Sequence, residues 1–311
     1  MSNSRATGCN LLNTAYSRLT TNVSQRAKAE VLLVIVTLIW GATFVVVKGA
    51  LRDASPLPFL AVRFTLAGVL LLLVMSRGLV DRHALVPGFV LGIFLFAGYL
   101  FQTTGLLYTT PSKAAFITGF AVILVPFMQV LHGFRLRGAT IAGALLGLGG
   151  IYFLVLPSGL RAVNRGDVLT LFCAVFFAIH IVLVGSYTRR HSFRDLVPVQ
   201  ILAVGLLAAA ALPLNWNFRL VWTVGLVLAL LVTATLATGF AFAVQNWAQQ
   251  FTPPAHTALI FALEPVFAAL TSRLVMGEKF GGKVFLGAAL ILAGMVVSEV
   301  WGSTTPSPVE G

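Results

Sequence analysis

Apolar runs of about 18 to 28 residues recur along the chain, parted by short stretches that carry Gly, Pro, Ser or basic residues. Runs of that length suit helices that cross a bilayer, whereas the strands of a membrane barrel would alternate apolar and polar positions. The pattern predicts ten helices, over residues 30–51, 58–76, 86–108, 113–132, 139–156, 168–187, 196–213, 220–248, 255–276 and 284–301. The connections hold breakers such as Ser55-Pro56, Pro111-Ser112, Pro157-Ser158-Gly159, Asn215 and Gly281-Gly282, and most are too short for a soluble domain. Residues 1–29 are rich in Ser, Thr and Asn without an apolar period, so a disordered tail is expected there.

Composition agrees with the pattern. Hydrophobic residues make up 58% of 311 positions, charged ones 10%, and the mean hydropathy is +0.95, more than a soluble fold of this size can bury. The net charge of +12 does not indicate a nucleic-acid partner, because the basic residues stand singly or in pairs between apolar runs and read as topology signals. With both termini in the cytoplasm, eleven Lys and Arg fall inside and nine outside, with Arg63 within the membrane. The bias is clear in the first half and reversed in the second, so the first half decides the expected orientation. The two cysteines, Cys9 and Cys173, give neither a disulfide framework nor a metal site, and no cofactor is indicated.

Residue matches at an offset of about 137 to 144 point to an internal repeat. Trp40-Gly41 followed by Lys48 corresponds to Phe177-Ala178 followed by Gly185. Arg63 and Gly68 fall on Gln200 and Gly205. Gln102 precedes Pro111 by nine residues, as Gln245 precedes Pro254. Pro126 and Pro265 lie in matching helices, and GALLGLGG at 143–150 matches GAALILAG at 287–294. Because five is odd, two consecutive five-helix copies must face opposite ways across the bilayer, as in many secondary carriers. The expected fold is therefore an all-α membrane protein of ten transmembrane helices as two inverted five-helix repeats. The first covers 30–156 and the second 168–301, joined by a linker at 157–167 and followed by a tail at 302–311.

Glu264 stands at the centre of a predicted helix and is followed at once by Pro265. A carboxylate there costs about 2.5 kcal/mol or more on insertion scales, so it is expected to face a polar cavity; holding helices together is the alternative. Pro265 leaves the carbonyl of Phe261 without its helical donor, and with Pro126 it is a candidate hinge. Arg63 sits roughly 8 Å below one surface at about 1.5 Å per residue, where it could line a pathway or reach to the headgroups. Gln200 is its counterpart toward the opposite side. His180 could be an interhelical hydrogen-bond partner or, if it shares a cavity with Glu264, part of a proton-coupled site. Trp40, well inside the first helix, could stack on a substrate or simply pack. Gln102, Gln245 and Asn246 complete the candidate pathway. Lys113 and His256 are placed at opposite mouths, and Gly143, Gly147, Gly150, Gly287 and Gly294 at a close helix contact away from the pathway.

The segments WGATF with Lys48, AVRF, TTPSKAAFITGFAVILVPF, FAIHIVLVG and LEPVFAAL followed by GE resemble the EamA-type family of the drug/metabolite transporter superfamily, over essentially all of 30–301. The first half departs from that pattern, with Leu124-Val125-Pro126 where the second has Leu263-Glu264-Pro265, and with HGFRLR where many members carry an acidic turn. The resemblance implies a multi-pass carrier of the bacterial inner membrane, most often an exporter of amino acids, other metabolites or toxic compounds.

The function expected is thus secondary transport of small molecules by alternating access, with the lipid bilayer as surroundings and protons as an available coupling ion. No GxxxxGK[ST] sequence indicates direct use of ATP. An intramembrane enzyme would need a nucleophile and base or a metal cluster, whereas Arg63, His180 and Glu264 lie on three separate helices. A helical scaffold without transport is the third alternative.

Overall fold

A computed structural model describes residues 3–75, 80–130, 137–155, 163–214 and 217–301. Pro157-Ser158-Gly159, Asn215, most of the expected linker and the expected tail at 302–311 lie outside the described residues. Ten helical segments follow in order: α1 (Asn3–Ala50), α2 (Pro56–Met75), α3 (Arg82–Gly105), α4 (Pro111–Val130), α5 (Gly138–Val155), α6 (Arg165–Tyr187), α7 (Phe193–Ala210), α8 (Val224–Ala248), α9 (Pro254–Met276) and α10 (Gly282–Val300). Extended pairing among the described residues is limited to one bridge between Ala54 and Leu220.

Among the described residues, eight helices are long and apolar enough to cross a membrane, α1 over Gln25–Ala50. Instead of ten such spans, α5 and α10 contribute shorter apolar stretches, Gly138–Phe153 and Gly282–Ser298. Large exposed side chains such as Leu73, Leu206, Val224 and Leu274 clothe the outside of the bundle, as a lipid-facing surface requires. Residues 3–29 differ from expectation, being helical and continuous with the first span. Gly8 is the single glycine before residue 30 and no proline occurs there, so no residue breaks a helix already nucleated by the span. Arg26 and Glu30 add an (i, i+4) ion pair at 2.9 Å.

Polar caps set several starts. The Thr110 hydroxyl accepts from the Lys113 N–H ahead of Pro111, Asn164 and Asp167 form a reciprocal capping box, and Ser192 and Thr223 cap α7 and α8. The Thr223 cap, with Leu220 held in the bridge, starts α8 at 224 rather than at the expected 220.

Close packing follows the small residues. A Cβ on Gly68 would fall 2.6 Å from the Leu202 side chain, and one on Gly205 2.8 Å from the Thr65 nitrogen. Rising numbers on α2 thus meet falling numbers on α7, so the two helices run antiparallel. The same holds for α5 and α10: a Cβ on Gly143 would lie 2.5 Å from the Gly294 carbonyl, and one on Gly150 2.6 Å from the Gly287 carbonyl. Gly147 approaches Ile123 of α4 and the Gly294 side of α10. Helix α3 lies along α6 and α7, while α1 runs beside α9 and α8. Helix α2 also meets α8, and α4 meets α6, so exchanging each helix with the one five places on maps these neighbours onto themselves.

The α5–α10 contact yields a direct check. Replacing Gly143 or Gly150 with Leu forces two backbones apart and is expected to destabilise the bundle by about 1–3 kcal/mol. Gly149→Ala, at a position with nothing within 4 Å of the added carbon, is the neutral control. Thermal unfolding of the detergent-purified variants reads the difference; equal midpoints for Gly150→Leu and Gly149→Ala would refute the packing role.

Candidate functional site

Helix α9 is not continuous. It is helical over Pro254–Phe261 and again over Glu264–Met276, with a tightened turn at Ala262 and Leu263 where ψ is −18° and −17°. Pro265, with no N–H to offer, stands at the start of the second piece and makes the interruption. Two other helices rest on this break through glycine. A Cβ on Gly41 of α1 would lie 2.8 Å from the Glu264 carbonyl, and one on Gly119 of α4 2.9 Å from the Pro265 ring. Leu263 and Val266 point outward, while Glu264 lines an internal cavity.

That cavity encloses about 750 Å³, counting its mouth, between α1, α2, α3, α4, α6, α8 and α9. Six of the eight expected pathway residues line it: Trp40, Arg63, Gln102, His180, Gln245 and Glu264. Gln200 and Asn246 do not. They are fully buried behind the wall, in a chain in which His180 Nε2 meets Gln200 Oε1 at 2.9 Å and Gln200 Nε2 donates to Asn246 Oδ1 at 3.1 Å. Among the described residues, no ion pair engages the Glu264 carboxylate.

The cavity's cation and its indole are both fixed by α8. Over Thr233–Phe240 this helix widens to a π-helix, a form that appears mostly in short stretches and frequently at functional sites. The Ala237 carbonyl there accepts the Trp40 indole N–H at 2.8 Å, and Thr238 Oγ1 accepts from Arg63 Nε at 2.8 Å. Trp40 therefore presents its ring, not its donor, to the space. Arg63 is 3% exposed, so it does not reach to headgroups; its guanidinium carbon lies 4.9 Å from the Tyr99 ring centre and 5.1 Å from that of Phe64. Tyr99, Phe177, Phe242 and Phe261 complete an aromatic wall, with Trp40 edge-on to Phe261 at 5.0 Å.

Several of these were not singled out from the sequence, yet the repeat carried a signal for some. Phe177 is the counterpart of Trp40, and Gln245 of Gln102, and all four line the cavity. The two candidate hinge prolines stand differently with respect to the helix breaks. Helix α4 is interrupted at Phe120, between Pro111–Gly119 and Ala121–Val130, and Pro126 lies inside the second, unbroken piece. Phe120 corresponds to Leu263 at the same offset that relates Pro111 to Pro254, so Ala121 is the counterpart of Glu264.

The cavity runs from Trp40 at mid-membrane toward Val47 and Leu106. At that end a shallower pocket is lined by Lys48, Lys113 and Glu278. Lys48 donates to the Leu106 carbonyl, Lys113 Nζ pairs with Asp167 at 2.7 Å, and Ser112 and Ser272 both bond Glu278. At the opposite end of the bundle His256 Nε2 stands 3.0 Å from Glu30, which also holds Arg26. Glu30 and Asp167 are separated by the offset that relates Trp40 to Phe177, so the two ends of the bundle carry equivalent pairs. No group of three or more His, Cys, Asp or Glu able to hold a metal occurs among the described residues.

The sequence model of the EamA-like transporter family matches the chain over residues 27–156 and 164–299. An "uncharacterized transporter" of Archaeoglobus fulgidus is 39% identical over 88% of this chain and 86% of its own. A "probable amino-acid metabolite efflux pump" of Escherichia coli is 26% identical over 87% of this chain and 94% of its own. A solved crystal structure, 23% identical, covers 88% of this chain and 97% of its own with a TM-score of 0.66, a likeness of fold. The chain with this aromatic, singly acidic cavity belongs to the EamA-like transporter family.

Proposed function

We propose that the protein is a secondary transporter that binds a small metabolite in the central cavity and exports it by alternating access. The observation that carries this reading is Glu264, an acid without an ion-pair partner among the described residues, set in an enclosed space at an interrupted helix. Interrupted helices in transporters place backbone ends and charged groups at mid-membrane substrate sites. Antiparallel crossings of α2 with α7 and of α5 with α10, each pair related by the repeat, support an inverted arrangement of two five-helix units and ten spans. A match of the family over each half supports it too.

The aromatic wall, Arg63 and Glu264 together suit a molecule with an apolar body and charged ends, such as an amino acid or a related drug-like compound. The name of the Escherichia coli relative supports that class and the outward direction. His180 and Glu264 line one cavity, the condition under which a proton can bind and leave in step with substrate. Nothing in the cavity pairs a nucleophile with a base, which favours transport over an intramembrane enzyme. A cell-membrane carrier with both termini in the cytoplasm fits the charge bias of the first half, and places the Lys113 and Asp167 mouth outside and the His256 and Glu30 mouth inside. Pro265 serves as the hinge at which the second half of α9 moves.

Two outcomes check this reading. Glu264→Gln is expected to abolish substrate flux in vesicles while membrane insertion and yield stay normal; full flux in that variant would remove the acid from the mechanism. Thr238→Val, which takes the acceptor from Arg63, is expected to lower both flux and thermal stability, by about 1.5–3 kcal/mol for a bond to a charged group. Unchanged flux and melting in Thr238→Val would mean that the π-helical contact does not hold Arg63 in place.

A further inference from the structure

Two relays of side chains run from main-chain carbonyls inside the bundle to the cavity wall. In the first, the Ile181 carbonyl accepts from Gln249 Nε2 at 3.0 Å, and Gln249 Oε1 accepts from Gln245 Nε2 at 3.2 Å. A main-chain carbonyl can only accept, so its position dictates the orientation of both amides in turn. Gln245 is left with its oxygen. That Oε1 is buried and has no partner, on a residue that is 2% exposed and lines the cavity.

The second relay obeys the same logic. The Phe242 carbonyl accepts from Asn246 Nδ2 at 2.9 Å, and Asn246 Oδ1 accepts from Gln200 Nε2 at 3.1 Å. Gln200 Oε1 can then only accept, so the proton of the His180 ring sits on Nε2, 2.9 Å away. Nδ1 is left as the atom with a lone pair, on a ring that lines the cavity. Both relays therefore deliver an acceptor, and Glu264 adds a carboxylate in the same space. The guanidinium of Arg63 is held to Thr238 and stacked on Tyr99, as the opposite pole.

We propose that Gln245 Oε1, His180 Nδ1 and the Glu264 carboxylate form a subsite for a primary ammonium group of the transported molecule. The inference rests on the reading of this cavity as the substrate site and names the group it takes. A primary ammonium brings three N–H donors and a positive charge; a quaternary ammonium brings the charge alone. Trp40, Phe177 and Phe242 would attract either cation through their ring faces, so the aromatic wall does not distinguish them. Hydrogen-bond acceptors do. Water could also satisfy Gln245, and then the cavity would show no preference between the two cations.

The test is thermal stabilisation of the detergent-purified full-length protein by three matched probes: 2-phenylethylamine, trimethyl(2-phenylethyl)ammonium and 2-phenylethanol. A ligand that binds the folded state raises the melting midpoint with its concentration. The amine is expected to act at concentrations about tenfold below those of the other two, the gap a lost buried hydrogen bond produces. Gln245→Leu should narrow the gap between the two cations, and Gln245→Glu should keep it. Equal potency of the amine and its trimethyl analogue, no stabilisation by the amine, or an unchanged gap in Gln245→Leu would each overturn the subsite. Where Gln245→Leu fails to fold, the wild-type comparison of the two cations decides alone. A negative result here with lost flux in Glu264→Gln would reject the ammonium subsite and leave the carrier standing.

Discussion

Backbone N–H and C=O groups find no water in hydrocarbon, so a chain in the bilayer must satisfy them within its own helices or within protein. Three departures from regular helix among the described residues lie beside the cavity or hold its side chains. The tightened turns at Phe120 and at Ala262–Leu263 adjoin the lining residues Gly119, Ala121, Phe261 and Glu264, and the π-helical stretch at Thr233–Phe240 holds Trp40 and Arg63 from behind the wall. The Ala237 carbonyl takes the Trp40 indole N–H, and the Thr238 hydroxyl beside it takes Arg63. Irregular backbone and polar lining are thus one construction.

Near-equivalence of the two halves gives the cavity its shape, and the breaches of that equivalence give it chemistry. Trp40 faces Phe177 and Gln102 faces Gln245 as matched positions, so the walls are similar from either half. Ala121 stands where the other half has Glu264, and Gln200 where the other has Arg63. One acid and one cation therefore occur where a perfect repeat would supply two of each. A scaffold of two similar halves surrounds a site with a defined polarity.

Much of this was legible in residue order. Apolar runs placed the helices to within a few residues, and the isolated acid of LEPVFAAL marked the break in α9 because an ionised group and a proline rarely coincide in lipid without a cavity. The small residues at 143–150 and 287–294 announced a close contact, since glycine alone permits carbonyls 2.5 Å from a would-be Cβ. The break in α4 was not legible, because proline is the visible marker and Pro126 lies nearly two turns beyond Phe120, where the helix tightens. The π-helical stretch TATLATG left no periodic trace, as one extra residue per turn over two turns scarcely shifts an apolar pattern. Gln200 and Asn246 were read as lining because polarity distinguishes buried from lipid-facing positions but cannot tell a wall from the support behind it. The helical run before residue 30 was missed for a related reason: a polar segment without breakers reads as unstructured until a neighbouring span nucleates it.

The two glycine crossings have a geometric consequence. Gly68 packs on Leu202 and Gly205 on Thr65 where α2 crosses α7, and Gly143, Gly150 and Gly294 draw α5 and α10 together. Two points of fixed contact define a line, and a rigid body held at both can only turn about it. That line passes through both helix pairs, so a turn about this axle would open one end of the bundle as it closed the other while these glycine contacts stayed in place.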